Sequence, residues 1–153
     1  PDIVFNIELT ENSLNQASPR VIERLAALRD EKLMVAMDDF GKAYSSLRAL
    51  VHYPIDVVKI DKSLADDLLV EQDRSSFIIQ ALVELSEALS YKITVEGVES
   101  LLQVEILKSI GVHFAQGFLF AKPMSLSELC DRIRIHGAKA LIEDPIVDED
   151  ISF

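Results

Sequence analysis

A chain of 153 residues, 49% hydrophobic and 27% charged, carries enough apolar material for one domain core and no stretch near the ~20 apolar residues of a membrane span. Its formal net charge of −11 and pI of about 4.6 exclude a nucleic-acid polymer held by backbone electrostatics, yet leave room for a small phosphate ester bridged to carboxylates by metal ions. It opens at Pro1 with no basic, apolar leader, so it reads as a segment of a longer protein, with no signal peptide and no membrane contact of its own. The only cysteine, Cys130, permits no internal disulfide and suits a cytoplasmic location; its spacing from Leu126, Leu129 and Ile133 predicts a buried core thiol.

Residues 3–9 read as a first strand. Ser18-Pro19 signals a helix start, with Val21, Ile22, Leu25 and Leu28 as its apolar face. A strand follows at 33–38. Gly41 to Leu50 is a loop running into a short helical segment that Pro54 ends, and 55–60 is the next strand. Ile78, Leu82, Leu85 and Leu89 place a helix over 73–90. Strand 92–96 leads through Gly97 to a capping box, Ser100 with Gln103, that opens a helix stopping at Gly111. A short strand at 112–116 and a loop from Gly117 to Pro123 come next. A second capping box, Ser125 with Glu128, opens a last helix to about 140, and the acidic stretch 141–153 reads as a tail or linker.

Alternating strands and helices with largely apolar strands specify an α/β fold on a parallel sheet. A doubly wound sheet would carry a Gly-rich phosphate turn after its first strand, and Glu8-Leu9-Thr10-Glu11-Asn12 is not one. A TIM-type (β/α) barrel needs about 250 residues. Residues 1–140 are therefore expected to form a partial barrel of about five of the eight strand–helix units.

The chemistry concentrates at the strand ends. Glu8 closes the first apolar run, Asp38-Asp39 the second, Lys59 and Asp61 the third, Glu96 the fourth and Gln116 the fifth. A barrel assembles its active face from the carboxyl ends of its strands. Read singly, Asp38-Asp39 also suits a helix cap, and Glu11, Asp61 and Glu99 suit caps or first-turn carboxylates. Lys59 fits a structural role badly, because a buried ammonium needs partners. Phe118 and Phe120 read as packing residues, and His52, His113 and His136 show no ligand spacing.

Taken in order, Glu8-Leu9-Thr10-Glu11, Asp38-Asp39-Phe40-Gly41, Tyr44-Ser45-Ser46-Leu47, Lys59-Ile60-Asp61, Glu96-Gly97-Val98-Glu99 and Gln116-Gly117 resemble the EAL domain. This bacterial family hydrolyses cyclic di-GMP to the linear dinucleotide. The resemblance runs from about residue 3 to residue 124 and implies the C-terminal portion of that domain. It implies a two-metal site for Mg²⁺ or Mn²⁺, hard ions that prefer carboxylate oxygen. Glu8 and Asp38 would be ligands, with Asp38 bridging and Asp39 at the second ion. Lys59 would sit near the attacking water or the developing charge, and Glu96 would be a ligand, an anchor or the base. Glu99 would brace the loop after Asp39, and Gln116 would line the substrate pocket.

Three departures from the family pattern stand out. The opening strands are absent, and with them the Glu-Ala-Leu signature and an Asn ligand. Lys42-Ala43 replaces the usual Thr-Gly in the loop before Tyr44, and Val95 stands where the family has Ala. Three readings follow: a piece of a phosphodiesterase, inactive alone; a degenerate domain that binds cyclic di-GMP or a protein partner without catalysis; or a fragment with no function of its own that serves only as a partner-binding piece. Five strands cut from a barrel would also self-associate or pair with the missing half.

Overall fold

A computed structural model gives the fold, describing residues 5–30, 33–42, 47–70 and 72–136. Five strands, β1 (Phe5–Thr10), β2 (Leu33–Phe40), β3 (Val57–Ile60), β4 (Lys92–Val95) and β5 (Phe114–Ala115), form one sheet in that order, each pairing parallel with the next. The helices are α1 (Glu11–Asn15), α2 (Pro19–Asp30), α3 (Leu47–His52), α4 (Lys62–Asp67), α5 (Gln72–Leu89), α6 (Leu101–Ile110) and α7 (Leu126–His136). Strand order equal to chain order is the winding of a barrel, because a doubly wound sheet reverses direction part-way. The described sheet is not closed.

Alternation along each strand divides the sheet into two faces. Val35 and Met37, Val58 and Ile60, Ile93 and Val95 point to one face, where they meet Leu14, Ile79, Leu82, Val104 and Leu107 from the helices in one buried cluster. The intervening residues share the other face. Register neighbours point the same way, so Glu8 beside Ala36, Ala36 beside Val57, and Lys59 beside Thr94 form one row system. Asp38 and Glu96, each two residues farther along their chain segments, join it at the carboxyl edge.

The caps follow the sequence closely. Ser100 accepts from the Gln103 amide while the Gln103 side chain accepts from the Ser100 amide, and α6 ends at Gly111. Ser125 and Glu128 make the second reciprocal pair. Helix α2 begins at Pro19. Strand limits differ modestly: β3 starts at Val57 rather than 55, because the Asp56 amide already donates to Val35 (2.8 Å) but its carboxylate turns back to the Val35 amide (2.9 Å) and to Arg29 (2.7 Å).

Two one-turn helices, α1 and α4, are absent from the sequence reading. Each is set by a cap, Thr10 for α1 and Asp61 for α4, and each is too short for an apolar repeat to show. The buried-thiol expectation for Cys130 is corrected: the residue is exposed. Helix α7 follows β5, the edge strand of the described sheet, and Leu126, Ile133 and Ile135 on it are exposed too. Phe118, read as a packing residue, is exposed, whereas Phe120 packs against the core. The expected helix end near 140 and the acidic tail 141–153 lie outside the described residues. No described helix is long and apolar enough to cross a membrane.

Candidate active site

The charged residues of the inner face meet around one ammonium. Lys59 projects from the middle of β3, and its side chain is only 8% exposed. Its Nζ lies 2.8 Å from Glu8 Oε2, 2.7 Å from Glu96 Oε1 and 3.4 Å from Asp38 Oδ1. The partners come from β1, β2 and the residue after β4. Sequence separations of up to 51 residues close through the parallel register, so the constellation exists only once the sheet has formed.

Electrostatics favour the charged lysine. Burial by itself pulls the Lys59 ammonium down. Hydrogen bonds to Glu8 and Glu96 and the charges of Glu96 and Asp38 outweigh it and raise the pKa well above the ordinary 10.5. Lys59 is therefore an ammonium at neutral pH, a hydrogen-bond donor and not a base. It also answers the sequence argument that a buried lysine in an apolar strand needs partners.

Asp38 Oδ1 is buried and has no hydrogen-bond partner. Lys59 Nζ stands 3.4 Å from it as an ion-pair partner without making a hydrogen bond to it. A buried carboxylate oxygen left open at the edge of a carboxylate cluster is what a hard cation ligates. Glu8 and Glu96 each spend one oxygen on Lys59, leaving the other for a ligand. The donor chemistry is that of a hard, oxygen-ligated cation, although among the described residues no three His, Cys, Asp or Glu side chains are already drawn together as a cation cage.

Asp39 stands apart from this cluster. A register shift between Met37 and Phe40 interrupts the β2–β3 pairing, and Asp39 takes a left-handed backbone, φ 60°. Its Oδ1 meets Lys42 Nζ at 3.1 Å on the surface. That contact raises the Lys42 pKa. A strained, bulged aspartate at a strand end is a feature found at functional sites.

The remaining expected residues frame the edge. Glu96 is fixed through its backbone, donating to the Ile60 carbonyl at 3.0 Å. The segment after it is tied to the next strand: the Gln116 amide donates to Val95 at 2.9 Å, and the Val98 amide donates to Gln116 at 3.0 Å. Gly117 makes this possible, since a Cβ there would run into the Val98 backbone. The Gln116 side chain is exposed at that edge. Glu99 pairs with Lys62 at 2.5 Å, at the start of α4; the loop it was expected to brace includes residues 43–46, outside the described set. Lys62 was not singled out from the sequence. Its spacing to Asp66 is legible there, but its contact with Glu99 crosses 37 residues. Asp61 caps α4, accepting from Ser63, as the cap reading expects. His113 accepts from the Ile93 amide at 3.2 Å, a structural role.

The pattern that defines the EAL domain matches residues 3–123. The chain is 40% identical over 124 residues to the cyclic di-GMP phosphodiesterase RocR of Pseudomonas aeruginosa, covering 81% of this chain and 31% of RocR. It superposes on the PaMucR phosphodiesterase in complex with c-di-GMP with a TM-score of 0.70 at 34% identity, covering 81% of this chain and 50% of that one. On the manganese and cyclic di-GMP complex of Klebsiella pneumoniae BlrP1 the TM-score is 0.67 at 33% identity, covering 77% of this chain and 30% of that one. The chain thus spans under a third of the curated relatives' length and about half of the PaMucR chain. Related EAL structures are TIM-barrel-like, the architecture of which this open sheet is a part. Profile, identity and fold agree with the strand-end motifs: the chain belongs to the EAL domain family.

Proposed function

We propose that this chain is the C-terminal portion of a cyclic di-GMP phosphodiesterase domain, acting in bacterial second-messenger signalling in the cytoplasm. The observation that carries the reading is the buried Lys59 ammonium among the strand-end carboxylates of Glu8, Asp38 and Glu96, with the buried Asp38 Oδ1 making no hydrogen bond. The names of its relatives supply the substrate.

In this reading Glu8 and Asp38 hold divalent ions, Mg²⁺ or Mn²⁺, with Asp39 serving the second. When bound, such ions activate water and neutralise charge on the phosphodiester. Lys59 keeps the carboxylates in place and donates toward the developing negative charge. Glu96 orients Lys59 and accepts a proton or serves as a further ligand. Gln116, exposed at the same edge, lines the substrate pocket, and Glu99 with Lys62 supports the loop between β4 and α6. The open sheet, with exposed Phe5 and Phe114 on its two edge strands, pairs with the rest of the barrel or with another copy.

The test is hydrolysis of cyclic di-GMP with Mn²⁺, run on the chain alone and on a longer chain that completes the barrel. The longer chain should turn over and the shorter should not. Within the longer chain, Glu96→Gln should lose about 10²–10³ in rate, the usual cost of removing one charge-positioning group. Full activity in Glu96→Gln would overturn the role given to Glu96. An inactive longer chain that still binds cyclic di-GMP would favour the second reading, a domain that binds without cleaving. The Lys42–Asp39 pair, which places a protein cation on an expected ligand, is the observation favouring that alternative.

A further inference from the structure

Asp38 and Asp39 are adjacent, yet each faces its own lysine. Asp38 lies 3.4 Å from Lys59, which is buried and has three carboxylate neighbours. Asp39 lies 3.1 Å from Lys42, whose side chain is 63% exposed. The turn between them is built to make the second contact. Asp39 at φ 60° and Gly41 at φ 96° fold the chain back, so that the Lys42 amide also donates to the Asp39 carbonyl at 3.3 Å. Asp61 and Asp38 add negative charge on the same side.

An exposed pair of this kind contributes little to folding. Its consequence is local: a positive charge stands on the one carboxylate of the pair that Lys59 does not serve. We infer that Lys42 is a tethered cation that competes with a divalent ion for Asp39 and so weakens metal binding at that position. The inference rests on the proposed metal site. A unit charge a few ångströms from a divalent ion, in a solvent-exposed setting, changes its affinity by about three- to ten-fold.

The test is Mn²⁺ binding to the 153-residue chain, followed by the electron paramagnetic resonance signal of free Mn²⁺, with no substrate present. Lys42→Met should bind about three- to ten-fold more tightly than the unaltered chain. Lys42→Arg, which keeps the charge, should match the unaltered chain. Lys108→Met removes the same charge from the exposed end of α6 and should also match it. Equal, measurable binding by the Lys42→Met and unaltered chains would overturn the inference while leaving the metal site standing. An equal gain in Lys108→Met would overturn it too, because net charge would then explain the effect. No Mn²⁺ binding by any of the chains would overturn the metal reading and the inference together.

Discussion

The two faces of the sheet are made by the same strands and obey opposite rules. On the helix-covered face, Val35, Met37, Val58, Ile60, Ile93 and Val95 are buried by neighbours that any apolar side chain of similar size could replace. On the inner face, Glu8, Asp38, Lys59 and Glu96 are held by one another, and none has a substitute. The first face stabilises through area, a non-directional quantity. The second places charge in a confined space, which gains little net stability. Residues one apart in sequence therefore answer to different demands.

The comparison is broken most severely from the apolar side. Ile60→Ala, at a fully buried position of the core cluster, should cost about 4 kcal/mol through lost transfer energy and the cavity left behind. Chemical denaturation of the variant checks it; a loss below about 1 kcal/mol would show that the core collapses freely around this site.

Next comes Lys59→Met, which conserves bulk and removes the central charge. It should cost about 3 kcal/mol at neutral pH, because three carboxylates would face each other unpaired. The sign with pH follows from that cause. In the unaltered chain the folded Lys59 pKa lies above the ordinary 10.5. Its contribution is thus fully present at neutral pH and is lost only as pH rises through that raised value. A loss as large in Lys59→Arg, which keeps the charge, would mean that the lysine acts through packing alone.

Glu96→Gln sharpens the contrast. It keeps shape and leaves Lys59 with Glu8 and Asp38, so the stability loss should stay near 1 kcal/mol while the rate loss proposed above is large. Comparable losses in both would make Glu96 a structural residue. The smallest effect belongs to neither face: Ser100→Ala removes the α6 cap and should cost about 1 kcal/mol, read as a shift in denaturation midpoint.

Much of this was legible in the sequence because it is local. The caps at Ser100 and Ser125, the start at Pro19 and the helical run through Leu82 and Leu85 depend on neighbours within a few residues, although Ile79 is buried there where Ile78, which is exposed, was expected. The strand-end positions of Glu8, Asp38, Asp39, Lys59, Glu96 and Gln116 followed from apolar runs and their stops, and matched motifs named the family. Only the tertiary structure decided what those residues touch. Parallel register brings Glu8 to Lys59 across 51 positions and Glu99 to Lys62 across 37. The bulge in β2 separates Asp39 from its neighbour Asp38 and hands it to Lys42. Cys130 is exposed where helical spacing promised a core, and Phe118 is exposed where a packing role was expected. Periodicity tells which side chains share a face; whether another layer covers that face, and which charge stands opposite, is set by elements distant in the chain.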